Sequence, residues 1–220
     1  MKLGIISCVR AVGDAVAMFH SFGPNRLLDV YEAVNYSSIG RGYNQGLIDV
    51  PISNDVLLFT HNDVTYWGSQ NLLRDAIRAA AEPGIGFVGV AGRSSQLTDK
   101  AVWWDDPKHL RGAVAHQNGG HQKYMTSFGM YGTATVMDGV LLMCHRRVFE
   151  KIGLWDESLG FHFYDLDITL RAHRAGLKNL VLPLPILHES VGNLSPEWEA
   201  SRQKFLDKHQ IDLILEMAKK

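Results

Sequence analysis

Apolar residues in this chain fall in short unbroken runs, and polar residues gather where the runs stop. Leu3–Val9 ("LGIISCV") and Val56–Thr60 ("VLLFT") have the length and composition of strands buried on both faces. Leu27–Val34 ("LLDVYEAV"), Ile85–Gly92 ("IGFVGVAG") and Val140–Cys144 ("VLLMC") read as further strands. Helical spacing falls between them: a short helix over Ala15–Phe22, another over Tyr43–Leu47, and a longer one over Asn71–Ala81 that stops at Glu82-Pro83-Gly84. A short helix ends at Gly153. "FYDLDITLRAHRAG" predicts a helix with Asp165 as N-cap and Gly176 as its stop. "NLVLPLPILHES" reads as a late strand pair broken by prolines, and Pro196–Lys220 as a charged, amphipathic C-terminal helix or helix pair. Strand alternating with helix implies one α/β domain over residues 1–220, with a mostly parallel central sheet flanked by helices. Such sheets bind ligands beyond the carboxyl ends of their strands. Arg93–Thr135 breaks the pattern: "WWDD", "HQNGGHQKY" and "SFGMYGT" keep no period, which predicts a long irregular insertion beside the site.

Composition narrows the partners. At 220 residues and 46% apolar, the chain can bury a substantial core. With 22 basic and 23 acidic residues the formal charge is −1, so no global field recruits nucleic acid or an anionic membrane. No window approaches the ~20 apolar residues of a membrane span, and "MKLGIISCVRAVGD" suits a first strand better than a signal peptide. Cys8 and Cys144 sit inside apolar runs, where a free cysteine behaves as a small hydrophobe. A reducing cytoplasm fits this usage, with peripheral attachment to a membrane compatible.

Candidate chemistry sits at the run ends. Val56–Phe59 delivers the chain into Thr60-His61-Asn62-Asp63 without a turn glycine. A carboxylate at the rim of such a sheet can hold a divalent cation while leaving positions open for a diphosphate, and Asp63 is the residue placed for it. The plainer reading is an aspartate that caps a turn. Asp165 and Asp167, two apart at a helix start, point in different directions; one can face a cleft and take a proton from an attacking hydroxyl. Acidic residues are favoured in a first helical turn whatever the function, and the same field lowers their pKa. His188 closes an apolar strand and could complete a metal site with Asp63, a mixed imidazole and carboxylate set that suits Mn²⁺ or a similar ion. A lone histidine there is more often simply hydrogen-bonded. The ten histidines include no His-Glu-x-x-His, and neither a G-x-S-x-G elbow nor a phosphate-binding P-loop occurs.

The order of these pieces resembles the family-2-like glycosyltransferases of GT-A fold, in particular a small group whose metal motif reads His-x-Asp. The resemblance rests on Ser38, Tyr43-Asn44 and Gly46 before "LLFTHND", on "DGVLLMCHRRVFEKIGLWDE" (Asp138–Glu157), and on "FHFYDLDITLRAHRAG" followed by "LPLPILHES". It implies a metal-dependent, inverting transfer of a sugar from a nucleotide diphosphate, UDP- or dTDP-linked, to a saccharide or other hydroxyl acceptor. By the same resemblance Asp63 and His61, with His188 as a further metal ligand or else a diphosphate ligand, hold Mn²⁺ or Mg²⁺, and Asp165, or else Asp167, is the general base. Cys8, Val9, Arg10, Asn35, Arg41 and Asn62 are placed near the nucleotide, Asp138 near the donor sugar or the acceptor, and Trp103, Trp104 and Tyr124 near the acceptor. His61 replaces the common first aspartate, and Tyr164 stands where a glutamate is frequent. These departures keep a second reading open, a catalytically inactive relative that binds nucleotide-sugar or carbohydrate. A sugar-phosphate nucleotidyltransferase fits less well, because "SCVRAVGDAVAM" lacks the Gly-rich basic loop that chemistry needs.

Overall fold

The apolar runs form the strands they imply, with residues 2–23, 28–34, 36–118, 122–190 and 194–211 described in the computed structural model. In chain order the elements are β1 (Leu3–Cys8), α1 (Val16–Ser21), β2 (Leu28–Ala33), α2 (Ile39–Asp49), β3 (Val56–Thr60), β4 (Val64–Tyr66), α3 (Gln70–Ala81), β5 (Ile85–Gly89) and β6 (Ala91–Arg93). There follow β7 (Leu110–Asn118), β8 (Gln122–Ser127), β9 (Gly132–Ala134), β10 (Val136–Met137), β11 (Leu141–His145), α4 (Arg147–Ile152), α5 (Tyr164–Arg174), β12 (Lys178–Val181), β13 (Ile186–His188) and α6 (Pro196–His209). The 212–220 part of the expected C-terminal helix lies outside the described residues.

A seven-stranded sheet runs β2-β1-β3-β11-β5-β12-β9 through the middle. Its central strands are covered on both faces: Val56 and Leu58 of β3 enter one core cluster, Leu57 and Phe59 the other. The sheet is mixed, which corrects the mostly parallel reading. Pairs β1·β2, β1·β3 and β5·β12 are parallel, whereas β11 runs antiparallel to both β3 and β5, and β9 antiparallel to β12. A strand buried on both faces is apolar throughout, so Val140–Cys144 carries no sign of its direction.

The second correction concerns Arg93–Thr135, which is rich in strands. β7 pairs with β6 and β8 antiparallel and with β13 parallel, in a second sheet ordered β10-β6-β7-β13-β4 with β8 on β7. Its alternation is hidden because small residues fill both sets of positions: Leu110, Gly112 and Val114 are buried, and Ala113 and Ala115 half-buried. Gly112 packs against the backbone of Val90, the residue that joins β5 of one sheet to β6 of the other. Its φ is +94°, and a Cβ there would lie 1.8 Å from the carbonyl oxygen of Val90. Both the backbone angle and the overlap disfavour any side chain, so Gly112→Ala is expected to cost about 3 kcal/mol or more in urea unfolding; a loss under about 1 kcal/mol would show that the sheets part easily here.

Two helices differ from their sequence reading. α2 starts at Ile39, four residues before Tyr43, with the Ser38 hydroxyl accepting from Arg41 N at 3.2 Å. Its glycines are poor helix formers but allow close approach: a Cβ on Gly42 would meet Cys8 Sγ at 2.5 Å, and one on Gly46 would meet Ile6 Cγ2 at 2.4 Å. In α5 the N-cap is Phe163, in left-handed conformation at φ 62°, and not Asp165. Asp165 falls inside the first turn, with its carboxylate bent toward a neighbouring loop. The helix ends as expected, at Arg174 before Gly176 with φ 79°.

Candidate active site at the end of the third strand

The turn after β3 is held to its neighbours on both sides. The Thr60 hydroxyl donates to Val140 O at 2.8 Å, which seats the turn beside Asp138-Gly139-Val140. β4 then pairs antiparallel with β13, His188 opposite Val64, and Glu189 N donates to Asp63 O at 3.1 Å. These two attachments bring His61, Asp63 and His188 together, with one ligand atom from each lying within 4.8 Å of the others. His61 Nδ1 is 3.2 Å from His188 Nε2, which is 3.4 Å from an Asp63 oxygen. A cation bonded at about 2.1 Å sets adjacent ligand atoms about 3.0–3.4 Å apart, so the donor set fits a divalent ion in spacing as well as in chemistry.

Among these groups, His61 and Asp63 are displaced from their ordinary pKa values. Burial, then the His188 charge, lower the pKa of His61, which holds it as a neutral imidazole. Burial alone would raise Asp63, but the hydrogen bond and charge of His188, with His61 and Ser190, outweigh it and keep the carboxylate ionised. The Tyr164 hydroxyl lies 2.8 Å from His61 Nε2, the nitrogen facing away from the cluster. With Nε2–H donating to that hydroxyl, the Nδ1 lone pair faces Asp63 and His188. The Ser190 hydroxyl, 2.9 Å from His188 Nε2, is a further partner.

One residue on from Tyr164, Asp165 accepts from Gly139 N at 2.7 Å and from Leu166 N at 2.9 Å. Burial, and next the Asp138 carboxylate, push its pKa up to about 7 against the pull of those N–H groups. Asp138 accepts from Val140 N at 2.8 Å and faces the same cavity. Asp167 has a different setting. Fully buried, it meets Arg171 at 2.9 Å, Lys208 at 2.7 Å and His209 at 2.8 Å, and so ties α5 to α6. Burial would raise its pKa, but His209, Arg171 and Lys208 prevail and hold it low.

His61, His188, Asp138 and Asp165 line one cavity of about 570 Å³, together with Trp103 and Trp104. Of the three non-glycine residues with positive φ among those described, Ala101 and Phe163 also line it. Strained backbone is retained where the surroundings impose it, most often at functional sites. Tyr124 is not on this wall; it stacks on His116, ring centroids 5.0 Å apart. His116 is a cavity residue that the sequence gives no means of finding, since it reaches the site through the parallel register of β7 with β13, where it lies opposite His188. The nucleotide group is not gathered at this cavity. Cys8 and Val9 are buried in the core, with burial pushing the Cys8 thiol up to about 12, and Arg10 and Arg41 are exposed. Asn62 is half-buried in the His61–Asp63 turn, and Asn35 lies outside the described residues.

A mixed α/β sheet whose third strand ends in a candidate imidazole and carboxylate cation site, beside a cavity-facing aspartate, resembles the GT-A fold. The family model of a glycosyltransferase-like family matches residues 25–209, and the chain belongs to that family. Among curated protein sequences there is no significant match. Solved structures share the fold at low identity. GalNAc-T7 with UDP, GalNAc and Mn²⁺ superposes with a TM-score of 0.66 at 10% identity, over 94% of this chain and 48% of its own. The mannosyltransferase PcManGT from Pyrobaculum calidifontis, with GDP-Man and Mn²⁺, gives 0.52 at 12% identity, over 97% and 64%. The catalytic domain of Drosophila β1,4-galactosyltransferase 7 with xylobiose gives 0.54 at 12%, over 91% and 79%. This chain thus spans about half of the first and under two thirds of the second. No helix among the described residues is long and apolar enough to cross a membrane.

Proposed function

We propose that the protein is a metal-dependent, inverting glycosyltransferase that moves a sugar from a nucleotide diphosphate, UDP- or dTDP-linked, to a hydroxyl acceptor. The observation that carries this reading is the cavity wall shared by Asp165, with its raised pKa, and the His61 and His188 side of the cation site. Asp165 takes the proton of the acceptor hydroxyl as its oxygen attacks the anomeric carbon. The bond from that carbon to the diphosphate oxygen breaks, and the electron pair leaves with the diphosphate. A divalent cation, Mn²⁺ or Mg²⁺, held by Asp63, His188 and His61 would supply positive charge against the departing diphosphate. Asp138 keeps Asp165 basic by its charge, and Tyr164 fixes the His61 ring. Arg10 and Arg41, exposed near the end of β1 and on α2, are proposed contacts of the nucleotide, and the free buried Cys8 and Cys144 fit a reducing compartment such as the cytoplasm.

A base must be ionised to act. Below its pKa Asp165 carries a proton and cannot accept another, so kcat/KM, which reports the free enzyme, is expected to climb as pH rises through about 7. Stopped assays of donor consumption from pH 5.5 to 8.5 would show it; a rate flat across that window would remove Asp165 from the role. The transferase reading is tested by thermal shift with UDP, dTDP, GDP and CMP, each with and without Mn²⁺, followed by assay of donor cleavage. A ligand at ~100 times its dissociation constant stabilises by ~2.7 kcal/mol. A Mn²⁺-dependent shift with turnover supports the transferase; a shift without any cleavage would identify the inactive relative.

A further inference from the structure

The cavity lining is of two kinds. Asp138, Asp165, His61 and His188 are its ionisable part; Trp103, Leu110, Val114, Phe128, Phe163 and Trp198 are its apolar part, with Thr126 opposite Val114 as a polar neighbour. Trp103, Leu110, Val114 and Phe163 are 8%, 4%, 6% and 4% exposed and belong to the larger core cluster, with Phe128 and Trp198 packed against it. Core side chains therefore border an open space over this part. The rings brace one another: Trp103 meets Phe128 edge-on with centroids 5.4 Å apart, and Phe163 meets Trp198 at 5.2 Å.

The loop that carries Trp103 is also clamped from beneath. The buried Arg93 guanidinium pairs with Asp105 and donates to the Ser95 hydroxyl and Gln96 O, and Asp105 accepts from the Thr98 hydroxyl. Ala101, fully buried on this wall, is held at φ 54°. A clamp and a residue at positive φ thus fix the loop that carries Trp103.

We propose that the acceptor is an amphiphile, an inference that rests on the transferase reading of the site. Its reacting hydroxyl lies at Asp165, and an alkyl or aryl body fills the space between Trp103, Val114 and Trp198. A free oligosaccharide seated there would turn hydroxyls toward Leu110, Val114 and Phe128, which offer them no hydrogen bond, with the Thr126 hydroxyl opposite Val114 as one local partner, and each hydroxyl left unpaired weakens binding. An apolar body gains with every methylene it buries, about fourfold in affinity. The volume, about 570 Å³, falls in the range of sites that enclose a whole small molecule.

Calorimetric titration of the full chain with n-alkyl glucosides from methyl to octyl, kept below their micellar concentrations, and with phenyl glucoside and free glucose, tests the proposal. UDP with Mn²⁺ is titrated separately. Affinity is expected to climb about fourfold per methylene until the cavity is full. Phenyl outranking octyl would assign an aromatic body, and the reverse an alkyl one; either supports the proposal. Val114→Thr, nearly the same shape with a hydroxyl on the wall, is expected to weaken octyl glucoside several-fold while leaving UDP and Mn²⁺ unchanged. Affinity independent of chain length, or free glucose binding as well as octyl glucoside, would overturn the amphiphile alone. A climbing series without any UDP binding would support the apolar part and overturn the transferase reading.

Discussion

Asp165→Asn is expected to lower kcat by about 10²- to 10⁴-fold, the usual contribution of a positioned base, while UDP and Mn²⁺ bind as before. The variant keeps the shape of the side chain and one acceptor for the backbone N–H groups of Gly139 and Leu166 that now hold the carboxylate. What it removes is the ability to take a proton, so the loss belongs to the chemical step. Asp167→Asn provides the contrast. Asp167 is fully buried between Arg171, Lys208 and His209, and weakening a buried anion of that kind leaves its cations uncompensated. The expected effect is a loss of about 3 kcal/mol in denaturant unfolding, with little change in kcat for the fraction that folds. Kinetics and unfolding on the same pair separate the two roles. A normal kcat in Asp165→Asn beside an inactive but stable Asp167→Asn would exchange the assignments.

That contrast also marks how far the sequence could be read. Two aspartates two apart at a helix start must face different ways, so one cleft residue and one structural residue were legible. Which was which depended on residues far along the chain: Gly139, which takes Asp165, and Lys208 with His209, which take Asp167. The end of β3 was legible for a similar reason, because a strand buried on both faces that runs straight into His61-Asn62-Asp63 must set those polar side chains at the rim of its sheet. Sheet direction was not, since β11 is apolar on both faces and reads alike in either sense. Nor was β7, whose alternation is written in Gly and Ala. With β7 unseen, the place of His116 opposite His188 could not be inferred, and the aromatic wall behind Trp103 remained a set of residues with no shared space. Tyr164 has a definite place in the structure: its hydroxyl lies 2.8 Å from His61 Nε2, where it can orient the ring.

The same coupling sets the second large effect. Asp63→Ala is expected to weaken Mn²⁺-dependent UDP binding by at least about a hundredfold, more than the removal of an outer partner such as the Tyr164 hydroxyl, which costs about 10- to 100-fold in comparable sites. Asp63 is the anionic member of the ligand set; His61 is held neutral by burial and its neighbours, so without the carboxylate little charge remains to offset a divalent ion. Its side chain is 29% exposed and lies at the rim, so truncation there does not open the core and the fold should survive. Calorimetry of UDP with and without Mn²⁺ on wild type, Asp63→Ala and Tyr164→Phe then ranks the three. The order expected is wild type, Tyr164→Phe, Asp63→Ala, with metal-free UDP binding equal in all. Unchanged affinity in Asp63→Ala would sink the cation site at this strand end, and equal losses in both variants would mean that the His61 ring, rather than the carboxylate charge, is what the metal depends on.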